Sequence, residues 1–371
     1  MKISSRFLSI VSCLVLFLSC GGEETSESEA ASEASSDERA LVSALAIGVE
    51  MGDSCYVFGD IGDACIDQDG SIHVMDIISN TITSYGQDGT YIGRTGGQGE
   101  GPGEYGRPAG MIVLEDGRIA VSDVMLNRVT YLDGDQSVDE TVEGFVPWPP
   151  SRIRAASEAS YTGSNRVFHR EDSRYGHMVA LWNESPEPVI EYYRKMGDFN
   201  MENLRESTQA NQIVFTSDME GRVYIAPLSS TEFGIDVFDS TGVQLYSIDE
   251  EREPADRPES DLQEEREEMR EQLQREGAPP MEWDPNPRYP MIPLGGMGID
   301  GEGRLWVRDG RSVIPRFSVY SGDEHVFDAV LEDATVPGEG LRVKVTPGGI
   351  LAWQGDPETY PRIFLLELQQ H

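Results

Sequence analysis

The chain is short of positive charge. Its 371 residues include 29 lysines and arginines against 66 aspartates and glutamates, a formal net charge of −37. Such a field repels phosphate backbones and anionic headgroups, so no nucleic-acid partner is expected and electrostatic docking on a lipid surface is disfavoured. The plain reading of the charge is a heavily solvated surface. The sharper one is calcium binding, but there is no EF-hand spacing or dense Asp loop, so no cofactor is expected. Histidine is scarce, with five residues, and none sits in a His-Glu-x-x-His arrangement. His169 and His177 flank Glu171 and Asp172, which is either a weak metal candidate or a polar surface hairpin. The four cysteines form no pair of Cys-x-x-Cys elements, which excludes a structural zinc site. No Gly-Lys-Ser/Thr ending follows the glycine-rich stretch 96–103, which argues against a phosphate loop, and no Gly-x-Ser-x-Gly elbow occurs. Long apolar runs are missing as well. The longest, Phe7 to Leu18, falls short of the roughly 20 residues that span a bilayer.

What is present at the N-terminus is a pattern of export. Lys2 and Arg6 precede that apolar run, as in a signal peptide occupying residues 1–19. The run ends Phe17-Leu18-Ser19-Cys20-Gly21, which resembles a bacterial lipobox, with Phe17 where leucine is commoner. The resemblance implies lipidation of Cys20 and a membrane partner reached through that anchor. Localisation is then the cell envelope, at the outer membrane or the periplasmic face. Residues 20–40 are dominated by Ser, Glu and Ala and cannot bury enough apolar area to offset their ordering entropy, so an acidic tether is expected there. Cys55 and Cys65 remain in the body. Their spacing suits either a hairpin disulfide in an oxidising compartment or two separate thiols.

The body from residue 41 to 371 is built on a repeat. Asp69-Gly70-Ser71-Ile72-His73-Val74-Met75-Asp76 matches Asp116-Gly117-Arg118-Ile119-Ala120-Val121-Ser122-Asp123, 47 residues on, and Asn80 matches Asn127 at the same offset. A turn glycine followed by apolar residues two and four places later marks a strand with a buried face. The pattern recurs at Gly221, Gly303 and Gly348, and Asn165 stands in for the glycine in the wide gap between Gly117 and Gly221. Six units, spaced by 47, 48, 56, 82 and 45 residues and rich in short strands, predict an all-β, six-bladed propeller with four-stranded antiparallel blades. The interval before Gly303 is long enough for an insertion at about 250–292. There Ser260 and Gln263 form a capping-box pattern and Gly277, Pro279 and Pro280 a stop, predicting a helix over 260–277 with Leu262, Met269 and Leu273 as a thin stripe and Glu271 with Arg275 as an i,i+4 pair. Asp76 and Asp123 end strands and are expected to accept from turn amides, and Arg128 to pair with such a carboxylate in a neighbouring blade.

The segment Ile92-Gly93-Arg94-Thr95-Gly96-Gly97-Gln98-Gly99-Glu100-Gly101-Pro102-Gly103-Glu104-Tyr105, with Asp123 to Val129 and Gly303 to Arg308, resembles the linkers and strand turns of NHL-repeat propellers, and especially exported six-bladed propeller lipoproteins. The resemblance implies a fold and no defined activity. With no catalytic constellation legible, the expected role is a monomeric binding module for a protein, peptide or glycan; Trp148 and Trp283 stand in loops, where they either pack over blade ends or serve such contacts. The second reading is a metal-dependent propeller enzyme of lactonase or lyase type.

Overall fold

The computed structural model describes residues 37–157, 159–169, 171–199, 211–275, 277, 283–338, 340–354 and 360–369. The signal-peptide stretch, Cys20 and most of the expected tether lie outside them. A strand begins at Glu38, so residues 38–40 belong to the folded body and not to the tether.

Six four-stranded antiparallel units succeed one another along the chain. Their first strands are Ile61–Ile66, Pro108–Val113, Ser151–Ala155, Ile213–Ser217, Met297–Ile299 and Leu341–Thr346. Each abuts the next, and Ile61–Ile66 meets Leu341–Thr346 to close the ring. The sixth blade takes its outermost strand from the other end of the sequence. Glu38–Ile47 pairs antiparallel with Ile363–Leu368, from Leu41 opposite Leu368 to Ile47 opposite Ile363. Its first residues also run parallel to the outer strand of blade 5, with Glu38 opposite Asp328 and Leu41 opposite Leu331, so blades 5 and 6 share one eight-stranded sheet.

The core is divided among the seams. Six apolar clusters occur among the described residues, one between each pair of adjacent blades; Ile72 and Val74 face blade 6, for example, while Met75 faces blade 2. This corrects the expectation of a single buried face. Ile72–Asp76 and Ile119–Asp123 are buried at every position, because a blade inside a ring has a neighbour on both sides.

The repeat glycines occupy the first hairpin of each blade. Gly70, Gly117, Gly221 and Gly303 all have φ between +76° and +88°, the left-handed region that a Cβ disfavours. In blade 6 that role falls to Gly349 (φ +148°), one residue beyond the expected Gly348. In blade 3 the turn spans Ala156 to Ser160, closed by the Ala156 amide on the Ser160 carbonyl, and Asn165 lies inside the strand Tyr161–His169. Three of these hairpins share a device the repeat reading missed. Asp67, Asp218 and Asp300, three residues before the glycine, accept turn amides and reach the side chain three residues after it: His73, Tyr224 and Trp306 at 3.1, 3.1 and 2.8 Å.

The carboxylate of Asp76 accepts from the amides of Gly59, Asp60, Ile78 and Ser79, and that of Asp123 from those of Gly106, Arg107, Met125 and Leu126. Each thereby ties its own second hairpin, whose Asn80 or Asn127 is left-handed, to the linker entering the blade. Arg128 does not reach a neighbouring blade's carboxylate. Its guanidinium donates to the carbonyls of Glu100, Gly101 and Glu104, because the glycine-rich linker brings its backbone across the strand end, and the carboxylate beside it, Glu143 at 3.9 Å, is in its own blade.

The inserted helix runs Glu259–Arg275, one residue earlier than expected. The Pro258 carbonyl accepts from Asp261 and Leu262, and the Ser260 hydroxyl turns to the Asp261 carboxylate, so the capping box does not form. Leu262 is buried, while Arg257 to Glu265 (2.6 Å) and Trp283 to Glu265 (2.8 Å) fasten the helix to the rest of the insertion. Cys55 and Cys65 are both free thiols. Cys65 lies on an innermost strand and Cys55 in a short turn outside the blade, where its carbonyl accepts from the Tyr85 hydroxyl, so the two are at different depths of blade 1.

Candidate functional site

All six inner strands run in the same direction along the central channel, so their starts define one mouth and the first hairpins the other. At the mouth of the strand starts, Arg152, Arg154, Arg308, Arg342 and Lys344 line a cavity of about 290 Å³ together with one carboxylate, Asp63. A second cavity of about 420 Å³, which shares Ala109 with the first, adds Arg107, Arg166 and Trp148. In a chain carrying a net −37 this concentration of positive charge is the most unexpected feature of the molecule. Many of the described arginines are in ion pairs, yet among the described residues no carboxylate lies within ion-pair distance of Arg107, Arg152, Arg154, Arg166, Arg308 or Arg342.

The local backbone is shaped for this. Arg152 sits at a break in strand register between Ser151 and Arg154, with φ +52°, a left-handed conformation that costs an arginine about 1 kcal/mol or more. Burial pushes the guanidinium of Arg152 below its ordinary pKa, and the charges of Arg154 and Arg166 push it further. Burial does the same to Arg154 and Arg308. Arg154 bonds through one terminal nitrogen to the carbonyls of Arg152 and Ile153, while its buried Nε has no partner. Arg308 donates to the Leu341 carbonyl at 2.7 Å. Lys344, only 6% exposed, is neutralised: it donates to Asp63 at 2.7 Å and to the Met111 carbonyl at 2.8 Å. What remains is a group of cations in which Arg152, Arg154 and Arg308 are incompletely solvated and Arg152 is further repelled by its neighbours, an arrangement that an anion would relieve.

His177 is buried beside Tyr175, and burial together with Arg152 and Arg166 lowers its pKa to about 4. It pairs in register with Arg166, whereas His169 pairs with Arg174 at the exposed end of the hairpin. The two histidines are therefore not brought together, and the suggested metal position between them does not form. The channel lining does not fit a divalent metal either, since arginine and lysine are not ligands at these positions and Asp63 is held by Lys344. Trp148 is 46% exposed in its loop, with its carbonyl fixed by the Asn165 side chain at 2.8 Å, whereas Trp283 packs on the inserted helix.

None of the cationic cluster was singled out by sequence. Its members stand on blades 2, 3, 5 and 6 as isolated basic residues. The alternation Arg152-Ile153-Arg154 is the one local signal, two charges flanking a buried position at the start of an inner strand.

Residues 47–230 match the model of a family described as a 6-bladed beta-propeller. By that match and by its blades the chain is a six-bladed β-propeller. No curated protein matches the sequence. Similar solved structures include a Bacteroides fragilis protein (12% identity, 90% of this chain and 99% of that one, TM-score 0.48). A gluconolactonase from Xanthomonas campestris (11%, 88% and 99%, TM-score 0.46) and regucalcin, a calcium-binding protein from Agrobacterium tumefaciens (10%, 90% and 97%, TM-score 0.46), are others. At such identities the likeness is one of fold alone. No helix among the described residues is long and apolar enough to cross a membrane.

Proposed function

We propose that this six-bladed β-propeller is an extracytoplasmic binding module that captures an acidic glycan at the cationic mouth of its channel. The observation that carries the reading is the set of arginines, without carboxylate partners among the described residues, gathered at one mouth of an otherwise acidic protein. Guanidinium groups in a forked, partly desolvated array match carboxylates and sulfates better than any neutral ligand. The glycan is favoured over other anions by exposed Trp148, which lines the same cavity as Arg107 and Arg166, since an indole face stacks on a sugar ring while nearby cations take its acid group. The negative field of the remaining surface disfavours the binding of acidic polymers elsewhere. Export and lipid attachment at Cys20 belong to the same proposal and rest on the sequence of residues 1–40.

Calorimetric titration with tetragalacturonate and with neutral cellotetraose tests it. Saturable binding of the acidic sugar alone is expected, weakening as salt is raised and falling about tenfold in Arg152→Gln or Arg342→Gln. Equal affinity for the neutral sugar, or no binding of the acidic one, would overturn the assignment.

A further inference from the structure

The opposite mouth holds a larger cavity, of about 690 Å³, within the size range of drug-like ligand sites. Its construction differs from that of the cationic mouth. As the inner strands approach the first hairpins their channel-lining residues become apolar, and Ile66, Ile112, Leu114, Met219, Ile299 and Val345 form a collar. Beneath it lie Arg154 and Lys344, which border both cavities and so mark the waist of the channel. Lys344 and Arg154 share the one carboxylate at this floor, Asp63, and Lys344 holds the ion pair, so among the described residues the floor keeps one net positive charge, carried by Arg154. Its buried, unpartnered Nε lies at the same place. Two acids stand at the rim. Asp67 is engaged by His73 at 3.1 Å and by the amides of Asp69 and Ser71, and Glu115 is exposed. They admit a ligand whose negative charge lies deep and disfavour one that carries charge near the entrance.

We propose that this second mouth binds a small amphiphilic monoanion, with its acid group on Arg154 at the channel waist and its apolar body inside the collar. A single charge is specified by the single uncompensated cation, and the apolar body by the walls above it. A polyanion would place its further charges against Asp67 and Glu115. The inference does not rest on the glycan assignment, but Arg154 borders both cavities, so Arg342, which lines only the other mouth, is the residue that separates the two.

The test is a fluorescence titration of the folded protein with 8-anilinonaphthalene-1-sulfonate, an apolar-bodied monoanion, followed by displacement with decanoate, decanol and citrate. One saturable site with a blue-shifted emission is expected, displaced by decanoate and at least tenfold less effectively by decanol or citrate. Arg154→Met and Met219→Glu should each weaken the site tenfold or more. Arg342→Gln, at the far mouth, should leave it within twofold while impairing glycan binding, which keeps the two assignments apart. Met219 is half-buried in a hairpin turn outside the strands, so Met219→Glu decides the matter even where Arg154→Met fails to fold. Absence of a saturable site, displacement by decanol as readily as by decanoate, or native affinity in Met219→Glu would overturn the proposal.

Discussion

Replacing Asp63 by asparagine tests whether the waist of the channel is a tightly coupled polar joint. The carboxylate accepts from Lys344 Nζ at 2.7 Å, the Ala64 amide at 2.8 Å and the Met111 amide at 2.9 Å, while Lys344 also donates to the Met111 carbonyl. Three inner strands, from blades 1, 2 and 6, therefore meet in one small network. Asparagine keeps an acceptor for one amide but leaves Lys344 buried as an unpaired cation beside Arg154. Removing one partner of a buried pair costs about 3–5 kcal/mol, and the retained acceptor places Asp63→Asn near 3 kcal/mol. Lys344→Met should cost less, because Asp63 keeps both amide donors. The double variant should recover about 2 kcal/mol of the summed loss, since neither charge is then stranded. Equilibrium urea unfolding at pH 7, followed by both tryptophan fluorescence and circular dichroism, measures all four corners of the cycle. Single losses below about 0.5 kcal/mol, or a double variant that shows their simple sum, would mean that water solvates these charges as well as the protein does, and the argument for a desolvated waist would fall.

Asp76→Ala or Asp123→Ala strands four amide donors, so each should lower unfolding stability by about 3 kcal/mol or more in urea, with Asn substitutions less severe. His177, lowered to about 4 in the fold, stays neutral while an unfolded chain takes up its proton below about 6.5. Its contribution to stability is therefore complete above pH 6.5 and is lost as pH falls toward 4, by about 3 kcal/mol in total. The stability of wild type relative to His177→Gln, measured by urea unfolding at pH 7 and pH 4.5, should fall by most of that amount. Deleting residues up to Ile47 removes the strand that completes blade 6 and joins it to blade 5, so the cooperative thermal transition seen by circular dichroism should disappear; a truncated chain melting as the native one does would contradict the closure.

The repeat was legible because propeller hairpins demand the same thing each time, a left-handed residue followed by strand alternation. Gly70, Gly117, Gly221 and Gly303 record that demand, and Asp76 with Asn80 records a second turn. Blade 3 escaped because its hairpin at Ala156–Ser160 carries no glycine, and Asn165 imitated one. The capping box misled because Pro258, already in place before Ser260, starts the helix a residue sooner.

Local sequence therefore determined the fold class, the number of blades and the turns, since each depends on the conformational preferences of a few adjacent residues. Tertiary structure alone decided where the charge goes. Arg107, Arg152, Arg154, Arg166, Arg308, Arg342 and Lys344 are scattered over more than two hundred positions of an acidic chain, and ring closure brings them to one channel. Arg118, Arg222, Arg304 and Arg311 find carboxylates two or four residues away, a pairing local sequence can supply, whereas the gathering of the channel arginines exists only once the ring is closed.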